Sequence, residues 1–258
     1  MIRIPAIHLT FHLSEPLVVP INYNHALQAF VYSILPQEEA SLIHDQGFRH
    51  NNRTFKFFCF SRLLGSHSTY DKTTKTLTFH KKITLSISSI IPKLIEKTAN
   101  FLLLTENLQF HGQTITLDSL EYEEFEVETD TITVKAVSPI TAYSTFEKRG
   151  GKKITHYFHP KDEVFQYLVE ENFIRKYEAF TKKAIESESD IFIIRPIQVQ
   201  QKDKVVTNYK GTWITGYTGI YELQAKPEYL SFALSTGLAA KNSIGFGMVL
   251  PIDSQRYL

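Results

Sequence analysis

The segment with the most specific chemistry is Gly237-Leu-Ala-Ala-Lys241-Asn242-Ser243-Ile-Gly245-Phe-Gly247-Met-Val249. Glycines there permit positive φ and let backbone N–H groups come close to a phosphate. Lys241 supplies a matching cation, and Asn242 and Ser243 offer side-chain donors. No Gly-Lys-Ser/Thr is present, so this is not a Walker loop. Gly245-Phe-Gly-Met-Val249 partly matches the RNA-recognition pattern Lys/Arg-Gly-Phe/Tyr-Gly/Ala-Phe-Val and departs from it at Ile244 and Met248. The plainer reading of such a segment is a turn.

Basic residues cluster elsewhere too. Lys148-Arg149-Gly-Gly-Lys152-Lys153 reads as a hairpin that touches RNA phosphates, or as a plain solvated hairpin. Between His44 and Lys82 stand eight Lys/Arg (Arg49, Arg53, Lys56, Arg62, Lys72, Lys75, Lys81, Lys82) against two acids, Asp45 and Asp71. Glu121 to Asp130 answers with six carboxylates. The formal net charge of +1 therefore hides a polarised sequence, able to steer a polyanion to one side. A solvated loop and hairpin is the plainer account of the basic run.

Metal chemistry finds little support. His156-Tyr-Phe-His159 has a suggestive pair spacing, but neither cysteine nor an acidic cluster accompanies it. No metal and no cofactor are expected. The one cysteine, Cys59, sits in Phe57-Phe58-Cys59-Phe60, which predicts a buried, reduced core thiol without an internal disulfide. The N-terminal residues lack the apolar core of a signal peptide, and no run of about 18 apolar residues could span a membrane. A cytoplasmic protein is expected.

The elements that must position these residues follow from periodicity. The 258 residues, 43% of them hydrophobic, suit two domains of about 100–150 residues each. Ile2 to Leu13 reads as a strand. Asn22 or Asn24 caps a helix over Tyr23–Leu35, which Pro36 ends. Tyr32 lies about 130° from the centre of its Leu27/Phe30/Val31/Ile34/Leu35 stripe, so it is not an obvious core residue. Glu38–Gln46 reads as a short helix. Thr54–Ser61 and Thr76–His80 read as strands. Ser86–Leu104 contains a helix with Pro92 near its start, and Leu108–Tyr122 a hairpin turning at Gly112. The second half repeats the order: strand Thr131–Ser138, helix Lys161–Ile185, strands Asp190–Gln200 and Thr212–Gln224, helix Pro227–Ser235, last strand Ile244–Ile252. Each half is strand, helix, strand, strand, helix, strand. The fold expected is α+β: two tandem ferredoxin-like (RRM-like) domains with antiparallel sheets, residues 1–122 and 123–258, joined near Glu121–Asp130.

Taken together, the chain resembles the CRISPR-associated repeat-processing endoribonucleases of the Cas six family. The resemblance rests on the glycine-rich loop, on Val19-Pro20-Ile-Asn22-Tyr23-Asn24-His25, on Val137-Ser138-Pro139-Ile140 and on the Gly219-to-Val249 tail. The loop departs from the family form at Ala239, where a second glycine is usual. The resemblance implies a metal-independent endoribonuclease that processes CRISPR repeat RNA. It also implies repeat RNA as partner, with a CRISPR effector complex or a homodimer as possible assemblies.

Family members often cut with a histidine, a tyrosine and a lysine of the N-terminal domain. The matching positions are His44 in Leu42-Ile-His-Asp45, Tyr32 in Phe30-Val-Tyr-Ser-Ile34, and Lys56 in Phe55-Lys-Phe57. Those types suit attack by the ribose 2′-OH on the next phosphate, which needs a base, an acid and positive charge on the phosphorane. His44 has the ordinary pKa for proton transfer near neutrality and could be either acid or base; His50 competes with it. Tyr32 would orient the 2′-OH or, more boldly, act as base. Lys56 would hold the scissile phosphate, and Arg53 could replace it. The expected RNA contacts are Gly237, Lys241, Asn242, Ser243, Gly245, Gly247, Arg53, Lys148, Arg149, Lys152 and Lys153. Two other readings stand beside this one: a non-catalytic repeat-RNA-binding subunit of the same superfamily, and a ferredoxin-like interaction module whose glycine segment is only a turn.

Overall fold

A computed structural model describes residues 3–36, 48–50, 53–147, 150–151, 153–185 and 191–252. The N-terminal half runs β1 (Ile4–His12), β2 (Leu17–Pro20), α1 (Asn24–Ile34), β3 (Phe48–His50), β4 (Arg53–Phe55), β5 (Phe58–Phe60), β6 (Ser68–Asp71), β7 (Thr76–Phe79), β8 (Lys82–Ser89), α2 (Pro92–Leu103), β9 (Leu108–Phe110) and β10 (Gln113–Phe125). The C-terminal half runs β11 (Thr131–Ile140), β12 (Tyr143–Glu147), β13 (Lys153–Tyr157), α3 (Glu163–Thr181), β14 (Phe192–Gln198), β15 (Lys204–Tyr209), β16 (Thr212–Ala225), α4 (Pro227–Thr236) and β17 (Val249–Pro251).

The main sheet of the first half has the order β5-β8-β1-β10-β9, and that of the second β14-β16-β11-β17, with β15 paired to β16. All these pairings are antiparallel. Counting only the four strands of the ferredoxin plan, both sheets read second, third, first, fourth. The two tandem ferredoxin-like domains expected from the sequence are therefore present, repeated strand for strand.

Several elements differ from expectation. Thr76–His80 is not a strand of the main sheet; β7 pairs with β2 and β6 in a separate small sheet. The third plan strand is β8, Lys82–Ser89, whose serine-rich second half reads poorly as strand in isolation. It becomes one by pairing with β1 and β5 on its two sides. Thr54–Ser61 is split, because Phe57 takes a positive φ of 48°. The last strand is also shorter than Ile244–Ile252: a 3-10 turn over Asn242–Ile244 comes first, and β17 begins only at Val249. The helix expected over Glu38–Gln46 lies outside the described residues.

The two cores meet through the kink at Phe57. Ile4, Phe57 and Ile90 of the first half are buried in the core of the second. The Phe57 ring packs edge-on against Phe180 at 5.5 Å and Phe232 at 5.8 Å. Burying one phenylalanine is worth about 1.5–3 kcal/mol, so the kink is offset by the packing it allows. The expected asparagine cap is absent: α1 has no side-chain cap. Asn22 Oδ1 instead accepts from Thr207 Oγ1 (3.1 Å) and Asn208 N (2.9 Å), tying α1 to the β15–β16 hairpin.

Candidate nucleic-acid cleavage site

A cleft of about 340 Å³ lies between the two halves. Arg53 and Lys56 line it from the first half; Tyr143, Lys241, Asn242 and Ser243 line it from the second. Tyr32 reaches the same place from α1. Lys56 Nζ donates to the Tyr32 hydroxyl at 3.1 Å and stands 5.3 Å from the centre of its ring. Phe58 packs edge-on against that ring at 5.6 Å. Burial pushes the Tyr32 phenol up to about 12, against a smaller lowering by a hydrogen bond from Ser243. The phenol is therefore protonated at neutral pH.

The C-terminal wall is the glycine-rich loop. It leaves α4 at Gly237, with φ of 79°, and its polar centre is Asn242. Asn242 Nδ2 donates to the carbonyls of Leu238 (2.9 Å) and Phe246 (3.1 Å). Its Oδ1 accepts from Lys176 Nζ at 3.2 Å, and Lys176 also donates to the Gly237 carbonyl. Gly247 must be glycine: a Cβ there would lie 2.1 Å from the Leu238 carbonyl oxygen and 2.5 Å from Asn242 Nδ2.

The loop's glycines are not where phosphates could meet them. Gly237, Gly245 and Gly247 are buried. Gly245 donates its N–H to the Asn242 carbonyl and Gly247 to that of Pro139. The expectation that these glycine N–H groups grip RNA gives way to another role: Gly237 and Gly247 make room for the Asn242 carboxamide, and Gly245 for the Phe60 ring. The half-exposed stretch runs from Ala240 to Ile244, and its polar side chains are Lys241, Asn242 and Ser243. Ala239 accepts a φ of 52°, a cost of about 1–2 kcal/mol for an L-residue, in a site where its methyl is buried.

The basic hairpin is β12–β13. Tyr143, at its base, sits under Lys241, whose ammonium is 4.9 Å from the ring centre. Lys153 is exposed opposite Glu147, four residue pairs along the ladder from Tyr143, roughly 13 Å. Lys148, Arg149 and Lys152 lie outside the described residues, as does His44. His156 packs on Phe158 and His159 on Tyr217, each ring at its own aromatic partner. Among the described residues no three His, Cys, Asp or Glu gather as a ligand group, and no helix is long and apolar enough to cross a membrane.

Sequence reasoning missed two residues here. Gln28 stands one turn before Tyr32 on α1; its Nε2 donates to the Ser243 carbonyl at 3.2 Å, and its Oε1 accepts from the Tyr209 hydroxyl. The i, i+4 spacing to Tyr32 was the available signal. Lys176 lies on the buried stripe Phe165, Val169, Asn172, Phe173, Ala179 of α3. A lysine on such a stripe was legible as an anomaly. Burial pulls its ammonium down to about 7, partly opposed by the nearby Cys59 thiol. Cys59 is buried and free, as expected, and burial raises its thiol to about 12.

Models of known families match this chain over two adjoining stretches. Residues 18–121 match the CRISPR-associated protein Cas6, N-terminal, and residues 121–250 match the CRISPR associated protein Cas6, C-terminal. The chain belongs to the Cas6 family. CRISPR-associated endoribonuclease Cas6 2 of Methanocaldococcus jannaschii is 25% identical over 243 residues, covering 88% of this chain and 91% of the relative. CRISPR-associated endoribonuclease Cas6 of Pyrococcus furiosus is 22% identical over 233 residues, covering 90% and 83%. Among solved structures, the product of a Cas6-related gene from Pyrococcus furiosus aligns with a TM-score of 0.79 at 19% identity, over 98% of this chain and 99% of that one. A structure described as an RAMP protein binding different RNA substrates aligns with a TM-score of 0.76 at 19% identity, over 96% and 99%. The Cas6 fold is thus shared along the whole chain, and the family is one of RNA endonucleases.

Proposed function

We propose that this protein cuts CRISPR repeat RNA within the cleft, by attack of the RNA's own 2′-OH. The observation that carries the reading is the Lys56–Tyr32 hydrogen bond at 3.1 Å, in a cleft that Lys241 and Ser243 also line. In the step, the 2′-oxygen forms a bond to phosphorus and the bond from phosphorus to the 5′-oxygen breaks. The 2′-OH proton goes to a base, and a proton comes to the leaving 5′-oxygen. The products are a 2′,3′-cyclic phosphate and a 5′-OH.

His44 is the proton carrier in this reading, as acid or as base. Tyr32 orients the 2′-oxygen; a phenol pushed up to about 12 is a poor base at neutral pH. Lys56 stabilises the phosphorane charge. Lys241 and Arg53 hold flanking phosphates. With proton carrier and cation both supplied by side chains, the reaction needs no metal.

The test is incubation of repeat RNA with the full chain in excess EDTA, followed by analysis of product ends. Cyclic phosphate and 5′-OH ends are expected. A 2′-deoxyribose at the scissile position should stop cutting and leave affinity nearly unchanged, because one hydroxyl is a small part of a phosphate-dominated interface. Lys56→Ala and Tyr32→Phe should each slow single turnover by roughly tenfold or more. Cutting of the deoxy substrate would make water the attacking group and overturn the reaction class.

A further inference from the structure

Lys176 is a lysine with 3% exposure, on a helix of the C-terminal domain, touching two points of the glycine-rich loop. A buried ammonium is costly, and it is retained only where its donors have firm acceptors. Here one acceptor is the Gly237 carbonyl, where the loop begins, and the other is Asn242 Oδ1, at its centre. With Oδ1 facing Lys176, the Asn242 Nδ2 is turned to the carbonyls of Leu238 and Phe246, and one carboxamide spans the loop. Ser243 follows directly. Its carbonyl accepts from Gln28 and its side chain hydrogen-bonds Tyr32, both on α1 of the other domain. The contacts thus run without a break from a buried helix of the second domain to the tyrosine of the cleft in the first.

We propose that Lys176 is a positioning residue for RNA cleavage: it orients Asn242, and through Asn242 it sets Ser243 against Tyr32 across the domain interface. This rests on the cleavage function proposed above. The chemistry of the arrangement explains the residue type. A lysine brings several donors on one nitrogen, so it can serve two acceptors in one buried place. Methionine fills similar volume and donates nothing.

The experiment uses the full chain with 3-fluorotyrosine at position 32, in the wild type and in Lys176→Met. Single-turnover cleavage, affinity for repeat RNA and the fluorine resonance are measured together. Lys176→Met should lower the rate by roughly tenfold or more while changing Kd by less than about threefold, since misplacing a catalytic group costs rate and leaves the phosphate grip. The fluorine resonance should move. In a Tyr32→Phe background the same substitution should cost less than about twofold, because its effect runs through Tyr32. A general loss of structure would instead cost rate equally in both backgrounds. Asn242→Ala, altered at a half-exposed position, should reproduce the resonance shift and serves as the test should Lys176→Met fail to fold.

Equal rate losses in both backgrounds, or an unmoved resonance in the folded variants, overturns the proposal. If the wild type cuts no repeat RNA, the cleavage function fails instead, and the fluorine resonance still decides whether Lys176 sets the environment of Tyr32.

Discussion

The loop from Gly237 to Gly247 and the hairpin from Tyr143 to Tyr157 are both glycine-bearing, both lysine-bearing and both part of the second domain. They are built oppositely. The loop turns its glycines inward; the Asn242 carboxamide lies against Gly237 and Gly247, the Phe60 ring lies against Gly245, and the buried Lys176 holds Asn242. The hairpin has its positive-φ glycines, Gly150 and Gly151, at an exposed turn where a Cβ on Gly150 would meet nothing within 4 Å. In the loop, glycine is required by what lies beside it. In the hairpin, it is required only by the backbone's own conformation. A glycine-and-lysine motif therefore does not by itself say which residues face a ligand; packing on the inner side does.

The comparison can be broken most directly at the chemistry. His44→Ala should lower single-turnover cleavage by roughly 100-fold or more, within the usual range for a general acid or base, with RNA affinity nearly unchanged. Wild-type rate in that variant would move the site to His50.

Next in size is the packing contrast. Gly247→Ala places a methyl against the Leu238 carbonyl at a φ of 77°, and should destabilise the fold by about 3 kcal/mol in denaturant unfolding. Unfolding at the wild-type midpoint would show that the loop is not held as described.

Lys176 sharpens the same contrast through pH. Its folded pKa of about 7 lies well below the unfolded value of about 10.4. Between those values the unfolded chain binds the extra proton, so stability rises with pH in that window. Below pH 7 both states are charged and the burial cost is present in full. From pH 7 to 8.5, before unfolded Cys59 ionises, the wild type should gain on Lys176→Met by up to about 1.4 kcal/mol per pH unit. Parallel stability curves for the two proteins would show that the amine is not desolvated.

The smallest effect belongs to the exposed hairpin. Lys153→Ala should leave stability within about 0.5 kcal/mol, and if the hairpin touches RNA it should reduce the salt slope of binding by about one. An unchanged slope would remove Lys153 from the RNA contacts.

How much of this was legible in the chain depends on the range of the interaction concerned. Helix α1 and its off-stripe Tyr32, the Gly112 hairpin, the proline-started α2 and α4, and the repeated order of elements all follow from local periodicity and turn residues, which act over a few positions. Strand β8 was hidden because its serines become strand only between β1 and β5. The kink at Phe57 was hidden because the pocket that takes its ring is made by Phe180 and Phe232, more than a hundred residues away. Which face of the glycine loop meets solvent, and that Tyr32, Lys56 and Ser243 share one cleft, were decided by the docking of two domains. That docking depends on close packing between distant side chains, and no spacing along one chain encodes it.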